Sequence, residues 1–324
     1  MVNKILRVLL CLSLFFVTQV YADQYPSKVI TIVVPFTAGG PTDAVARLLA
    51  RSMSTALKQQ VIVENVAGAG GTIGATRVAK AAPDGYTMLL HHIGHSTAPT
   101  LYRKLPYNSI TDFEPIGLVA DIPMTLVAKK DFPANDLKEL IAYVKANSAK
   151  INLANAGVGA ASHLCGMLFQ TAIQTDLTTV PYGGTGPAMN DLLGGQVDLM
   201  CDQVTSTITQ IKGGKIKVFG VTTKKRIPAL PDVPTLHEAG LPNFEVAVWN
   251  GLYAPKGTPK AIIEKLTQAL QESLKDATLR QRFADLGTEV MPESRGTPEA
   301  LRTQLKSEID KWAPIIKKAG VYAD

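Results

Sequence analysis

Residues 29–57 read VITIVVPFTAGGPTDAVARLLARSMSTAL. The β-branched run Val29–Pro35 predicts a short strand, Gly39-Gly40 a turn, and the apolar spacing from Asp43 to Leu57 a helix. The same unit recurs outward. Val61–Asn65 is a strand, Gly68–Gly74 a glycine-rich turn into an Ala-rich helix, and Tyr86–His91 a third strand. A second series follows, with helix Leu137–Asn147, strand Asn152–Ala156, helix Ser162–Ile173 and strand Thr178–Tyr182. Helix Pro187–Leu193, strand Val197–Asp202, helix Ile208–Lys212 and strand Lys217–Thr222 complete it, and amphipathic helices over Pro259–Lys275 and Pro298–Ala319 form the tail. Alternation of this kind predicts βαβ units and a parallel sheet.

At 324 residues the chain suits two lobes, each with its own core. Two extended apolar stretches, Pro115–Lys129 (interrupted by Pro123) and Phe244–Pro255, read as crossings between them. The expected fold is therefore two α/β lobes joined by a hinge with a ligand cleft between them. Residues 23–123 and 249–324 form lobe 1, and residues 124–248 form lobe 2. A hinged pair of this kind is a natural small-molecule trap.

The N-terminus points to export. Lys4 and Arg7 precede an apolar run from Leu9 to Val17, then Val20-Tyr21-Ala22, the pattern of a secretory signal peptide over residues 1–22. The run is too short to span a bilayer comfortably. Cys11 lies within it and lacks the small residues of a lipid-anchoring site before it. Mean hydropathy is +0.11, much of it from this segment. Cleavage leaves a surplus of about four positive charges and two cysteines, Cys165 and Cys201, which read as buried apolar filler rather than a redox pair. The densest basic spots, Lys224-Lys225-Arg226 and Lys129-Lys130, lack interleaved aromatics, so no nucleic-acid partner is expected.

In open α/β sheets ligands bind beyond the carboxyl ends of strands. The first such place is Phe36–Asp43. There Ala38, Gly39 and Gly40 open the backbone to a ligand, and a helix N-terminus offers unpaired N–H groups to an anion. Thr42 reads as cap and ligand donor, and Asp43 either faces the ligand or complements the helix dipole. The second is Gly157–His163. Gly159, Ala160 and Ser162 can present N–H and hydroxyl donors, and His163 is either a contact or a packed first-turn residue. The third joins Tyr182, which can close the cleft, to Asp202. That aspartate either accepts a ligand ammonium or hydroxyl, or caps the following helix.

His91, His92 and His95 invite a metal reading. However, neighbouring strand residues face opposite ways and no carboxylate or Cys completes a ligand set, so neither metal nor cofactor is expected. His92, at a strand's carboxyl end, is a candidate ligand contact. No GxSxG or HExxH occurs, and adjacency of Ser162 and His163 does not make a catalytic pair, so the chain does not read as an enzyme.

Tyr25-Pro26-x-Lys28, VPFTAGGPTDAVAR (34–47), VENVAGAGG (63–71), AAPDGYTMLL (81–90), DFEPIGLVA (112–120), PYGGTGPAMNDLLGGQVD (181–198), RIPALPDVPTLHEAG (226–240) and GLYAPKGTP (251–259) carry a resemblance over essentially the whole exported chain. It resembles the Bug family, periplasmic solute-binding components of tripartite tricarboxylate transporters. The resemblance implies a type II periplasmic binding protein, monomeric, that captures a small carboxylate and delivers it to membrane permease subunits. In similar proteins two loops pinch one carboxylate, partly through ordered waters; by motif these are Phe36–Asp43 and Gly157–His163. Ala160 stands where the family often has Ser, and His91–His95 replaces a Thr/Asn-rich turn. The lead ligand is a C4–C6 dicarboxylate or acidic amino acid. The rivals are an aromatic carboxylate, or a sensor role beside a two-component kinase.

Overall fold

The computed structural model describes residues 25–323; the expected signal peptide, residues 1–22 with Cys11, lies outside the described residues. Strand β1 (Ile30–Val34) leads into helix α1 (Pro41–Leu57), β2 (Val61–Asn65), α2 (Thr72–Ala79), β3 (Thr87–His92), α3 (Gly94–Leu101) and the long β4 (Phe113–Lys129). Next come α4 (Leu137–Asn147), β5 (Asn152–Asn155), α5 (Ala161–Ile173), β6 (Thr178–Pro181), α6 (Thr185–Leu193), β7 (Leu199–Gln203), α7 (Val204–Lys212) and β8 (Ile216–Val221). Strand β9 (Ala247–Pro255), α8 (Lys260–Lys275), α9 (Ala277–Asp285), the two-residue β10 (Glu289–Val290) and α10 (Pro298–Ala319) finish the chain. Among the described residues no helix is long and apolar enough to cross a membrane.

The strands run in the order β2-β1-β3-β9-β4-β7-β5-β6, with β8 and β10 also against β4. Strand β1 is parallel to β2 and β3, and β5 is parallel to β6 and β7, as the alternation predicts. Strands β4 and β9 depart from that expectation. Strand β9 runs antiparallel to β3 and β4, and β4 antiparallel to β7 and β8, because each of the two crosses from one half of the sheet into the other. The sheet is therefore mixed.

Strand β4 is the element both halves share. It pairs with β9 along Phe113–Pro123 and with β7 from Met124 onward, so the change of partner falls beside Pro123, which has no N–H to donate. Thr222 stitches the crossing: its Oγ1 accepts from the Met124 N–H at 3.0 Å, and its carbonyl accepts from the Val246 N–H at 3.2 Å.

Burial follows the sequence pattern. In β1, Ile30, Ile32, Val33 and Val34 are all fully covered, as a strand with helices on both faces requires. Helix α10 buries Leu301, Leu305, Trp312 and Ile316, and Glu308 takes the Trp312 indole N–H at 2.9 Å. Helices α6 and α7 begin earlier than their sequence suggests, because the polar first turns at Thr185 and Thr205-Ser206 abut their strands directly. Helices α3 and α9 were not expected from the sequence. The filler reading of the cysteines is corrected as well: Cys165 on α5 and Cys201 on β7 form a disulfide, their Cα atoms 5.8 Å apart, in a fully buried position.

Candidate functional site

The carboxyl ends of β1, β3, β5 and β7 open on one small cavity. Phe36, Gly40, Pro41 and Thr42 line it from the first half of the sheet with His92, and Ala156, Ala160, Ala161, Ser162, Thr185, Asp202 and Gln203 line it from the second. In this closed state the space left is about 10 Å³, room for roughly one water, so the cleft must open for a ligand to enter. Among the described residues no Lys or Arg contributes to the lining.

Four helices begin at this wall. Helix α1 starts after Gly40, α5 after Ala160, α6 after Gly184 and α7 after Gln203, and none of the four has a side-chain cap. A helix start leaves backbone N–H groups without an intrahelical partner and carries partial positive charge. Four of them converging make an anion-holding wall built from backbone rather than from cations.

Side chains refine the wall. The Ser162 hydroxyl accepts from the Ala156 N–H at 2.8 Å, which locks the turn and leaves its own proton to donate. His92 Nδ1 accepts from the Gly94 N–H at 2.9 Å, and the ring stacks on Phe36 with centroids 4.5 Å apart. Burial pushes the His92 pKa down to about 3, so the ring is neutral, and with Nδ1 accepting, its proton sits on Nε2 as a donor. Asp202 is 1% exposed. Its Oδ1 accepts from the Gln203 N–H at 2.7 Å, whereas its Oδ2 and the Gln203 Oε1 accept no hydrogen bond from the described residues. Burial raises the Asp202 carboxyl to about 7, against the opposing pull of the nearby Thr185 hydroxyl and the Gln203 N–H.

Several candidates lie elsewhere. Asp43 turns its carboxylate to the Gly39 N–H (2.9 Å), the Arg47 Nε (2.9 Å) and the Asn65 side chain (3.0 Å), so it fastens the turn and spends the Gly39 N–H on it. Ala38 and Gly39 are exposed outside the cavity. The Gly159 N–H is likewise spent, donating to His163 Nδ1 at 3.2 Å, and His163 lines an outer groove along α5. Ser162 and His163 thus turn to different partners. Tyr182 lines the mouth beside Phe36, the turn at Gly68–Gly71 and Gly157, its hydroxyl donating to Asp191 at 2.6 Å. His91 and His95 pack behind the cavity, His95 among Tyr107, Phe113 and Tyr253, and among the described residues no group of three potential ligands is placed to hold a metal. Pro41, Ala156, Ala161 and Thr185 belong to the strand-to-helix turns that the sequence marks without being singled out there, and Gln203 directly follows Asp202. Their signal was position alone, directly after a strand or in a helix's first turn.

The two halves meet over the cavity. The Tyr102 hydroxyl donates to the Val158 carbonyl at 3.0 Å and the Thr97 hydroxyl to the Gly159 carbonyl at 3.4 Å, so the cleft is closed.

Comparison with known proteins gives a consistent picture. Residues 45–321 match the family described as tripartite tricarboxylate transporter family receptor. A UPF0065 protein of Agrobacterium vitis is 51% identical over 298 residues, covering 92% of this chain and 86% of the relative. The solved periplasmic binding protein BugD is 56% identical, with a TM-score of 0.90 over 92% of this chain and 99% of that one. MatC of Rhodopseudomonas palustris, solved with bound malate, is 44% identical, with a TM-score of 0.87 over 90% of this chain and 100% of its own. An R. palustris protein solved with adipate is 33% identical, with a TM-score of 0.88 over 92% and 99%.

Proposed function

The chain belongs to the tripartite tricarboxylate transporter receptor family, and from that premise we propose that it holds a small carboxylate in the inner cavity for delivery to membrane permease subunits. It is a receptor, not an enzyme, of the periplasmic-binding-protein fold. The observation that carries the reading is the ring of four uncapped helix starts. Their free N–H groups, with the Thr42 and Ser162 hydroxyls and the His92 Nε2–H, neutralise one carboxylate without a buried cation. We place the protein in the periplasm, acting as a monomer and released from its signal peptide after Ala22. Family receptors work in that compartment, and a buried disulfide suits an oxidising one.

A C4–C6 dicarboxylate or acidic amino acid is the favoured ligand. The cavity is compact, and two relatives were solved with malate and adipate, both dicarboxylates. Thermal unfolding against succinate, malate, aspartate, glutamate, adipate, citrate, terephthalate, benzoate and nicotinate tests this. A ligand at about a thousand times its dissociation constant adds roughly 4 kcal/mol of stability and raises the midpoint accordingly. Shifts with aliphatic dicarboxylates are expected. Shifts confined to aromatic acids would move the assignment to the rival class, and silence from protein refolded free of retained ligand would sink the carboxylate reading.

Gly40→Leu supplies the control. The Gly40 backbone is extended and an added Cβ meets only ordinary contacts, with Thr185 Cβ 3.8 Å away, so the fold tolerates a side chain there. The rest of a Leu side chain fills the cavity, and the ligand-induced shift is expected to vanish with the folded baseline kept. Retained affinity would place the ligand elsewhere. Capture by a permease, as against the ectodomain of a sensor kinase, separates the transport role from signalling.

A further inference from the structure

The cavity has a second pole whose chemistry is opposite to the first. Asp202 Oδ2 and Gln203 Oε1 are acceptors, both residues nearly sealed from solvent, and neither atom takes a hydrogen bond from the described residues. The groups facing Asp202 are the Thr185 hydroxyl from α6, the Gln203 N–H from its own strand, the neutral His92 ring from β3, and Thr125 of β4, whose hydroxyl is occupied with the Asp202 carbonyl at 3.2 Å and Thr207 at 2.8 Å. No cationic side chain is among them. Two carboxylates confined together in such a place cannot both stay ionised. Either the ligand brings a cation to this pole or the pole brings a proton to the ligand.

We propose that Asp202 matches the charge of the ligand, accepting as a carboxylate from an ammonium group and donating as a carboxylic acid to a second carboxylate that has no ammonium beside it. This rests on the carboxylate-receptor reading and names the residue that sorts ligands within it. An amino dicarboxylate then binds the ionised form and releases whatever proton Asp202 still carries, whereas a plain dicarboxylate binds the protonated form and takes up a proton wherever Asp202 is ionised.

The sign follows from the buried carboxyl. Asp202, with its carboxyl raised to about 7, is increasingly ionised above that pH and must be reprotonated to receive a plain dicarboxylate, so affinity falls as pH rises. Calorimetric titration with the pairs succinate and aspartate, glutarate and glutamate, in buffers of differing ionisation enthalpy, reads both affinity and protons. From pH 6.5 to 8.5 we expect plain dicarboxylates to lose about twentyfold in affinity with nearly one proton taken up at the higher pH, and amino dicarboxylates to gain about fourfold with most of a proton released at the lower pH. Asp202→Asn is expected to erase the pH slope and proton uptake for succinate and to weaken aspartate. Equal pH profiles for both members of a pair, or the same slope surviving in Asp202→Asn, would overturn this inference while leaving the receptor standing. Binding of neither pair, with aromatic acids bound instead, would overturn the inference and the favoured ligand class together. No binding of any carboxylate would remove the receptor reading beneath it.

Discussion

Gly184→Ala is expected to weaken ligand binding about ten- to hundredfold while leaving the unfolding midpoint of the free protein nearly unchanged. The Gly184 backbone is extended, at φ 167°, a conformation any residue adopts, so alanine strains nothing locally. What it disturbs is closure. A Cβ at Gly184 would overlap the Thr37 Oγ1 across the cleft and press the Thr37 Cβ and backbone N at 3.1 Å. Forcing an extra methyl into a packed contact costs roughly 1–3 kcal/mol, and every 1.4 kcal/mol is about tenfold in affinity. That cost falls on the closed state alone, because opening the cleft separates the two residues.

Gly70→Ala approaches the same contact from the other rim, where the new Cβ would overlap the Val158 carbonyl and crowd the Tyr102 hydroxyl at 2.7 Å. Here the obstacle is backbone and cannot rotate away. Gly70 also sits at φ 60°, so some local strain accompanies the effect. The pair is therefore read together with Thr37→Ala, which removes the overlapping oxygen and should restore part of the affinity of Gly184→Ala and none of that of Gly70→Ala. Small-angle scattering, with ligand at a concentration that just saturates the parent protein, supplies the independent readout. Both glycine variants should remain more extended than the parent protein. Full affinity in Gly184→Ala would mean that the cleft works without the Thr37 approach.

The strand-to-helix turns that build the cavity were legible because they carry strong local punctuation. A β-branched run ending in Gly-Gly or Gly-x-Gly before an apolar helix fixes both the strand end and the helix start, and Phe36, Gly40, Thr42, Ala160 and Ser162 fall on the cavity for that reason. Internal hydrogen bonding has no linear signal. Gly39 and Gly159 are as suitable by type as Gly40, yet their N–H groups are consumed by Asp43 and His163 four residues on. The antiparallel crossing of β4 and β9 was half visible: both segments read as long and extended, but direction depends on where the chain re-enters the sheet. The cysteine pair was readable and was misread. An exported chain left with two cysteines invites a disulfide on compartment alone, whereas their apolar neighbours, Met200 and Leu164, suggested filler.

That disulfide carries the second large expectation. It closes a sequence span of 36 residues, for which restriction of the unfolded chain contributes about 4 kcal/mol. Replacing Cys165 and Cys201 together with alanine is expected to lower the unfolding midpoint by roughly 5–10 °C, given the size of the chain. Both sulfurs are fully buried, so reductant added to the folded protein should act slowly and only through opening, whereas reductant present during refolding should reproduce the double variant. The bond also joins the two elements that make the cavity. Cys165 lies one turn beyond Ser162 on α5, and Cys201 immediately precedes Asp202 on β7. Losing it should therefore loosen the carboxylate wall relative to the acceptor pole, and affinity should fall along with stability. Affinity can be compared with stability at a temperature where both proteins are fully folded. Unchanged affinity there would confine the disulfide to stability and show that β-sheet pairing alone holds Asp202 in register with the α5 turn.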